Sequence, residues 1–280
     1  MSRRDITTLL DQHGLRPSRA LGQNFVVDPN TVRRVVRLAG LEPGDRVIEI
    51  GAGLGSLTMA LLEGGVEVTA VEVDRGLLPI LRSIVEPAGA RVVAGDALAL
   101  DWAAVLGPAD EARPWTLVAN LPYNVATPLV VTLLEDVPAI TRMLVMVQRE
   151  AGERLAAGPG EEAYGAVSVK VAYWASASVV GAVPPTVFYP RPRVDSALVA
   201  IERRAQPAVD VATVDYDRFA AVVRAGFAHR RKMLRCALDG VVDPAAFAGA
   251  GVAPEARAEE LDVLAWGRLA AWKPNGPSPS

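Results

Sequence analysis

Length, composition and charge exclude several classes of protein. The chain has 280 residues, of which 51% are hydrophobic and 22% charged, a composition typical of a globular protein with one large domain or a large and a small one. It has no apolar run long enough to span a membrane, and its first residues lack the apolar core of a signal peptide. Because Cys236 is the only cysteine and there are two histidines, we expect no disulfide framework, no metal site and a cytoplasmic location.

The charges are unevenly distributed along the chain. The 29 basic and 32 acidic residues give a formal net charge of −3, which by itself argues against a polyanionic partner. Residues 1–40, however, contain seven arginines and three acids, and residues 218–238 contain six basic residues and no acid. Local patches set the electric field that a nucleic acid meets, so the distribution is compatible with such a partner.

The first two thirds of the chain alternate between strand and helix patterns. Predicted strands lie at 46–50, 66–71, 91–94, 116–119 and 142–147, and predicted helices at 56–63, 77–85 and 127–134. Alternation at this spacing is typical of βαβ units around a parallel sheet. Residues 170–174 and 197–201 are predicted to be later, antiparallel edge strands.

The last third of the chain shows helical patterns only. Residues 206–215 contain Pro207 and no strong period, which predicts a linker. Residues 216–238 are predicted to form one long amphipathic helix, residues 254–272 one or two more, and residues 275–280 a disordered tail. The sequence therefore predicts an α/β domain over 1–205, including a basic N-terminal arm, and a small helical domain over 206–280.

A glycine-rich loop follows the first predicted strand. Gly51, Gly53 and Gly55 stand where that strand turns into a helix, so the backbone can approach a ligand and the helix N-terminus favours an anionic group. The spacing is G-x-G-x-G rather than the G-x-G-x-x-G of dinucleotide-binding proteins, which disfavours a nicotinamide or flavin cofactor. The alternative is a tight turn without a ligand.

Two acids follow the next two predicted strands. Glu72 can accept hydrogen bonds from both hydroxyls of a ribose, and Asp96 can accept one from an exocyclic adenine amine. Each by itself is more often a solvated acid at a strand end. Together with the glycine loop they fall on one carboxyl edge of the sheet, which favours a nucleoside-bearing cofactor.

The fourth predicted strand ends in an Asn-Leu-Pro-Tyr run at 120–123. This run resembles the motif of amino-group methyltransferases that use S-adenosylmethionine. An adenine N6 amine is a weak nucleophile, so acceptors such as the Asn120 side-chain oxygen and a carbonyl at Leu121 or Pro122 would orient its lone pair. Tyr123 would stack on a base swung out of its helix or loop. The alternative is an Asn-initiated turn with Tyr123 in the core.

Further motifs occur in order along the chain: Ala-Leu-Gly-Gln-Asn-Phe at 20–25 with Asp28 and Pro29, Gln-Arg-Glu at 148–150, Phe-Tyr-Pro-Arg-Pro-Arg-Val-Asp-Ser-Ala at 188–197 and Arg-Arg-Lys-Met-Leu-Arg at 230–235. With them the sequence resembles the ribosomal RNA adenine dimethyltransferase family over roughly residues 15–272. Within the family it is most similar to the bacterial small-subunit branch, known for kasugamycin sensitivity. The resemblance implies a Rossmann-like S-adenosylmethionine-dependent methyltransferase domain with a small all-helical C-terminal domain that docks on rRNA.

The resemblance also implies roles for individual residues. The cofactor would contact Gln23, Asn24, Val26, Gly51, Gly53, Glu72, Asp96, Ala97 and Asn120. The target adenine would contact Asn120, Leu121, Pro122, Tyr123 and Phe188. Phosphates of 16S rRNA would contact Arg191, Arg193, Arg224, Arg230, Arg231, Lys232 and Arg235. For Phe188 the alternative is a buried aromatic at a strand end.

Three other functions compete with this one. A sister enzyme of the same family dimethylates a 23S rRNA adenine and confers macrolide resistance; the motifs at 194–197 and 230–235 favour the small-subunit branch, whose enzyme would dimethylate two adjacent adenines near the 3′ end of 16S rRNA. An assembly factor could occupy immature small subunits without methylating them, although the intact run at 120–123 argues for catalysis. A DNA adenine methyltransferase would leave the motifs at 188–197 and 230–235 unexplained. We expect a monomer.

Overall fold

A seven-stranded sheet organises the larger of two units into which the chain divides. The computed structural model describes residues 1–108, 110, 112–229 and 232–272. Unit 1 comprises Met1–Gly152 with Ala177–Arg203, and unit 2 comprises Glu153–Ser176 with Arg204–Ser280. The second unit therefore includes a stretch of chain that precedes residue 205, the end predicted for the first domain. Arg230, Arg231 and the tail at 275–280 lie outside the described residues.

Helices and strands alternate through unit 1. Its helices are α1 (Arg3–Gln12), α2 (Pro29–Leu38), α3 (Ser56–Glu63), α4 (Leu78–Val85), α5 (Trp102–Leu106) and α6 (Ala126–Asp136). The strands are β1 (Phe25–Val26), β2 (Arg46–Ile50), β3 (Glu67–Glu72), β4 (Arg91–Ala94), β5 (Trp115–Asn120), β6 (Ile140–Gln148), β7 (Ala175–Val183), β8 (Phe188–Tyr189) and β9 (Ser196–Arg203). A 3-10 turn covers Pro185–Val187.

The sheet is parallel over its first five strands, as the alternating pattern predicted. The order is β4-β3-β2-β5-β6-β9-β7, and β9 is antiparallel to β6. The chain runs from β2 outward to β3 and β4, then returns to β5 on the other side of β2. Connections therefore diverge at the carboxyl ends of β2 and β5, where open α/β sheets form a ligand crevice.

A short antiparallel pair, β1 with β8, holds the N-terminal segment beside the sheet. Val26 pairs with Phe188, and Phe25 pairs with Tyr189. Directly after β1, Asp28 caps α2 by accepting hydrogen bonds from the main-chain N–H of Thr31 at 2.9 Å and its hydroxyl at 2.6 Å. Bonds that favour the ionised form hold the pKa of Asp28 below its usual value. The Asp-Pro motif thus fixes the point where this segment leaves the sheet.

The strand predicted at 170–174 is wrong, because these residues belong to helix α8 (Ala166–Trp174). Val169, Val171 and Tyr173 are all buried, an alternation that is typical of a strand. It arises because an aromatic and aliphatic core surrounds the helix on several sides. The sheet edge is formed instead by β7, whose small and partly exposed residues carry no strong strand pattern.

Unit 2 is helical and has its own core. It contains α8, α9 (Tyr216–Ala228), α10 (Leu234–Ala237), α11 (Ala245–Ala250), α12 (Val263–Ala271) and a 3-10 turn at Ala258–Glu260, while α7 (Arg149–Ala156) crosses from unit 1. The single helix predicted over 216–238 is therefore wrong, because α9 ends at Ala228 and α10 starts at Leu234. Residues 206–215, predicted to be a linker, contain no helix or strand, but they belong to unit 2, and Val209 and Val214 pack in its core.

Fully buried aromatic side chains fill this second core. Tyr173, Phe219 and Trp266 are each 0% exposed, and the Tyr173 and Phe219 rings lie 4.7 Å apart. Gly226 of α9 lies against the Trp266 ring, so that a Cβ added there would overlap the ring. Close packing of α9 on α12 thus depends on a glycine.

No helix among the described residues is both long enough and apolar enough to cross a membrane.

We predict that Gly226→Val destabilises unit 2 by about 1–3 kcal/mol, because the added side chain overpacks against Trp266. Ala221→Val adds comparable bulk at an exposed position of the same helix and serves as the matched control. Urea unfolding followed by tryptophan fluorescence measures both. The Gly226→Val midpoint should be the lower one. A midpoint equal to or above that of Ala221→Val would contradict the prediction.

Candidate functional site

The candidate site is a cleft at the carboxyl ends of β2 and β5. The loop after β2 turns through Gly51, Gly53 and Gly55, whose φ values are 75°, 60° and 82°. Side chains strain such a backbone, which explains the glycines. A Cβ on Gly53 would also lie 3.0 Å from the Phe25 ring, so the loop closely approaches β1. The sequence predicted this loop as part of a ligand site.

Two adjoining cavities open along this edge. The first is lined by residues of the N-terminal arm, of the glycine loop and of the ends of β3 and β5. Among them are Gln23, Asn24, Gly53, Glu72, Asn120 and Tyr123. The second is lined at the ends of β3 and β4, among other residues by Asp96 and Ala97. Gly51, Val73 and Pro122 line both. The structure thus places the cofactor residues predicted from sequence along one continuous cleft.

Glu72 is rigidly held at the end of β3. It is 5% exposed, and its carboxylate accepts hydrogen bonds from the main-chain N–H groups of Gly53 at 2.7 Å, Val73 at 2.9 Å and Asp74 at 2.8 Å. Burial raises the pKa of Glu72, and these three donors oppose that shift. They therefore compensate a negative charge at the position where a ribose was predicted.

Asp96 lies at the second cavity and is exposed. Its Oδ1 accepts a hydrogen bond from the main-chain N–H of Leu98 at 3.0 Å, which fixes the carboxylate at the cavity edge. Ala97, beside it, is buried and lines the same cavity. An acceptor at the rim of an otherwise apolar slot suits the exocyclic amine of an adenine ring.

The N-terminal segment covers the first cavity. Gln23 lies at its wall, and its amide bridges two other segments: Nε2 donates to Asp74 at 2.7 Å and Oε1 accepts from the main-chain N–H of Ser18 at 2.7 Å. Asn24 and Val26 also line this cavity. The arm predicted to close over a cofactor is therefore tied to the loop after β3.

Asn120 has a defined orientation at the end of β5. Its Nδ2 donates to the main-chain carbonyl of Asn24 at 2.9 Å. The amide nitrogen is thereby occupied, and Oδ1 is the side-chain atom able to accept a bond from a ligand in the cavity. The hydrogen bond joins the reactive motif to the arm that covers the cofactor residues.

The three residues after Asn120 are held by different contacts. Leu121 is 1% exposed, and its N–H donates to the carbonyl of Met146 at 3.0 Å. Pro122 forms the wall between the two cavities. The Tyr123 hydroxyl and the Ser196 hydroxyl lie 2.6 Å apart in a hydrogen bond. Burial raises the pKa of Tyr123, so this phenol is neutral at physiological pH.

Ser196 is a site residue that sequence reasoning missed. It belongs to the Val-Asp-Ser-Ala run and is 0% exposed at the start of β9. Only the folded sheet brings it beside Tyr123, because 73 residues separate the two in sequence. The bond indicates that this motif positions the aromatic ring of the reactive loop.

Glu49 was also missed as a functional group. It lines the first cavity but is 2% exposed, and it accepts a hydrogen bond from the Thr58 hydroxyl at 2.5 Å. Burial is the main cause that raises its pKa to about 8. The signal in the sequence was a lone acid between the apolar residues Ile48 and Ile50 of β2.

Phe188 does not line either cavity. It is 1% exposed and packs in the core of unit 1. In this arrangement Phe188 is a buried aromatic at a strand end, which is the alternative that the sequence analysis gave for it. Its stacking on a target base stays a prediction.

Most of the predicted RNA-binding cations that the structure describes are free of ion pairs. Arg191, Arg193, Arg224 and Lys232 are exposed and make no ion pair with the described residues. Arg235 differs, because it pairs with Glu255 at 2.8 Å, which offsets its charge. Arg230 and Arg231 lie outside the described residues.

Together, the sheet, the glycine loop, the two acids and the oriented Asn120 define a Rossmann-like methyltransferase of the type that uses S-adenosylmethionine and acts on an amino group. The family model for ribosomal RNA adenine dimethylase matches residues 15–274. The chain belongs to the ribosomal RNA adenine dimethylase family.

Similar proteins include the ribosomal RNA small subunit methyltransferase A of Kineococcus radiotolerans, 48% identical over 99% of this chain and 92% of that protein. The protein of the same name from Thermobifida fusca is 47% identical over 96% of this chain and 95% of its own length. Among solved structures, the 23S rRNA methyltransferase ErmE is 26% identical, with a TM-score of 0.68 over 88% of this chain and 98% of that one. A dimethyladenosine transferase from Plasmodium falciparum shares the fold, with 22% identity and a TM-score of 0.70 over 86% and 94%.

We predict that Ser196→Ala lowers the methyl-transfer rate about fivefold, since a lost hydrogen bond costs roughly 1 kcal/mol and frees the Tyr123 ring. Tyr123→Phe removes the same bond and should have a similar effect. The double variant should be no slower than the slower single variant. Additive losses in single-turnover assays would show that the two hydroxyls act separately.

We predict that the free energy of unfolding of the cofactor-free protein falls, relative to Glu49→Gln, as pH rises from 6 to 8. A carboxyl whose pKa is raised by folding stabilises the protein below its unfolded pKa, and this stabilisation is lost as pH rises through the folded pKa of about 8. The slope is at most about 1.4 kcal/mol per pH unit. Urea titrations at pH 6, 7, 8 and 9 measure it, and parallel pH profiles would contradict the raised pKa.

Proposed function

We propose that this protein transfers methyl groups from S-adenosylmethionine to N6 of two adjacent adenines near the 3′ end of 16S rRNA in the small ribosomal subunit, as a step of ribosome biogenesis. The relatives named ribosomal RNA small subunit methyltransferase A support the substrate, because they match nearly the whole chain at 45–48% identity. The likeness to ErmE, whose substrate is 23S rRNA, is lower at 26%.

The observation that carries the reaction chemistry is the orientation of Asn120. The Asn24 carbonyl accepts a hydrogen bond from the amide nitrogen of Asn120. The amide oxygen of Asn120 is thereby left as an acceptor in the cavity where the adenine amine would bind. Accepting a hydrogen bond from this amine favours a tetrahedral nitrogen and aligns its lone pair with the methyl group. A carbonyl at Leu121 or Pro122 supplies a second acceptor, and Tyr123 stacks on the extruded base.

The residues along the cleft fit the cofactor. Glu72 binds the ribose, and Asp96 and Ala97 contact the adenine. Gly51 and Gly53 let the backbone approach the amino-acid portion of the cofactor. Gln23, Asn24 and Val26 exclude water from above. S-adenosylmethionine would supply a methyl group on a positively charged sulfur and leave as a neutral thioether. The methylated amine then loses one proton to water, so the transfer requires no strong base in the protein.

The protein as a whole has a net charge of −3, which does not attract rRNA. We therefore assign docking on rRNA to local clusters of cations. Arg191 and Arg193 flank Pro192 in an exposed loop, and Arg224, Lys232 and Arg235 belong to unit 2. With Arg230 and Arg231 they supply phosphate contacts on a preassembled particle. The protein acts as a cytoplasmic monomer.

We predict that Asn120→Ala lowers kcat by at least 100-fold, because the oriented acceptor is lost, while the affinity for S-adenosylhomocysteine changes less than tenfold. Asn120→Asp keeps the acceptor but cannot donate to the Asn24 carbonyl, so we expect an intermediate rate. Calorimetry gives the affinity and single-turnover transfer gives the rate. A near-normal rate for Asn120→Ala would contradict the assigned mechanism.

Methyl transfer from radiolabelled S-adenosylmethionine to unmethylated small subunits, large subunits and duplex DNA tests the proposed function. We expect N6-dimethyladenine at two adjacent positions near the 3′ end of 16S rRNA. Label on the large subunit would instead assign the protein to the branch of its family that methylates 23S rRNA. Tight binding to small subunits without any label would make it an assembly factor.

A further inference from the structure

Gln148 is the last residue of β6, and its half-buried side chain has no role in the site described above. It begins the Gln-Arg-Glu motif, and it lines neither of the two cavities of the cofactor cleft. Its amide makes no hydrogen bond to the residues that the structure describes. Because a side-chain amide carries two donors and an acceptor, Gln148 can bind a ligand group on its own side of the sheet edge.

Strand register places Gln148 on the same face of the sheet as Asn120. Asn120 of β5 pairs with Met146 of β6, and Gln148 stands two residues further along β6. Alternate residues of a strand share a face, and the strand spacings put the Cα atoms of Asn120 and Gln148 about 8 Å apart. Side chains that start at this separation on one face can converge on neighbouring atoms of a single base.

Gln148 is also a neighbour of the Tyr123 hydroxyl, through Ser196. Gln148 pairs with Ser196 of β9. Next to this pair, the Arg149 N–H donates to the Asp195 carbonyl at 3.0 Å. Hydrogen-bonded and non-hydrogen-bonded pairs alternate in an antiparallel ladder, so Gln148 and Ser196 form a non-hydrogen-bonded pair, in which the side chains lie closest. Because the Ser196 hydroxyl is 2.6 Å from the Tyr123 hydroxyl, Gln148 lies near the ring that is assigned to stack on the target base.

The edge of adenine that carries N6 needs a donor as well as acceptors from the protein. Asn120 and a carbonyl at Leu121 or Pro122 accept from the N6 amine, as proposed above. The neighbouring ring atom, N1, has a lone pair and no hydrogen, so it binds a donor. A contact to N1 consumes no amine hydrogen and is therefore retained through both methyl transfers to one base. Guanine carries a hydrogen on N1, so a donor at this position disfavours it.

We propose that the Gln148 amide donates a hydrogen bond to N1 of the target adenine and thereby contributes to base specificity. The proposal rests on the proposed function, because it assumes that an adenine amine accepts the methyl group. Asn120 and Gln148 together recognise an amine donor beside a ring acceptor, the pattern that adenine presents at N6 and N1. Gln148 is thus a specificity-determining residue that contacts the base and not the cofactor.

Two modified bases separate this contact from a purely structural role. Small subunits are assembled with 16S rRNA that carries 1-deazaadenine at the target positions, a base in which a C–H group replaces N1. Subunits with 7-deazaadenine are the matched control, because the proposal assigns no contact to N7. Single-turnover transfer by the natural protein should be at least about fivefold slower with 1-deazaadenine than with adenine, since one hydrogen bond is lost and its donor is left unpaired. The rate with 7-deazaadenine should stay within about twofold of that with adenine.

Gln148→Met is the test variant, since it keeps the length of the side chain and removes its donors. It should slow transfer to adenine at least about fivefold but leave the rate with 1-deazaadenine within about twofold of the natural rate, because the contact is already absent there. The affinity for S-adenosylhomocysteine should not change, since Gln148 lines neither cavity. Gln148→Glu places a carboxylate against N1 and should be slower on adenine than Gln148→Met. Gln206→Glu makes the same charge change at an exposed position of unit 2 and should transfer at the natural rate.

The ratio of the rates with adenine and with 1-deazaadenine decides the question. An equal ratio in the natural protein and in Gln148→Met would mean that Gln148 only supports the strand end, and would overturn the proposal while leaving the methyltransferase function intact. If Gln148→Met does not fold, the same ratio is measured with Gln148→Glu, and an unchanged value there overturns the proposal equally. No transfer by the natural protein to unmodified small subunits would remove the proposed function and the proposal with it. A ratio that falls at least about fivefold in the variant supports the contact to N1.

Discussion

The hydrogen bond from Asn120 to the Asn24 carbonyl is the contact on which the site depends. It spans 96 residues and joins the strand end that carries the reactive acceptor to the arm that covers the cofactor residues. The parallel sheet makes this bond possible, because the reversal of strand order at β2 and β5 places their carboxyl ends side by side. This one bond therefore orients the Asn120 amide and ties the N-terminal arm to the cleft. Gln23, bonded to Asp74, fixes the same arm to the loop after β3.

This arrangement buries two acidic side chains, which is unfavourable for their charged forms. The cleft keeps two acids away from water without a basic side chain, which disfavours the free protein at high pH and favours a cationic ligand. Glu72 accepts hydrogen bonds from three main-chain N–H groups, one of which belongs to Gly53, so the glycine loop also stabilises its charge. Glu49 lacks such donors, and its proton substitutes for the missing counter-charge. The stability of the ligand-free cleft therefore depends on the protonation of one residue, Glu49.

The motifs that place the chain in the ribosomal RNA adenine dimethylase family divide between structural and chemical roles. Asp28 caps a helix, Leu121 is buried core, and Ser196 anchors Tyr123. Asn120, Pro122 and Glu72 line the cleft itself. A motif shared by a family therefore marks the geometry that supports the reaction as much as the groups that perform it.

The sequence by itself determined the parallel sheet, the glycine loop and the order of Glu72, Asp96 and Asn120 along one edge, because strand periodicity and polar residues at strand ends are local signals. Tertiary structure decided what depends on contacts distant in sequence. Residues 170–174 alternate like a strand but form a helix, since a core packs around them on several sides. Ser196 meets Tyr123, and Glu49 becomes a buried acid facing the cofactor cleft, only when the sheet has formed. Local patterns cannot encode these contacts, because burial and pKa depend on which segments the fold brings together.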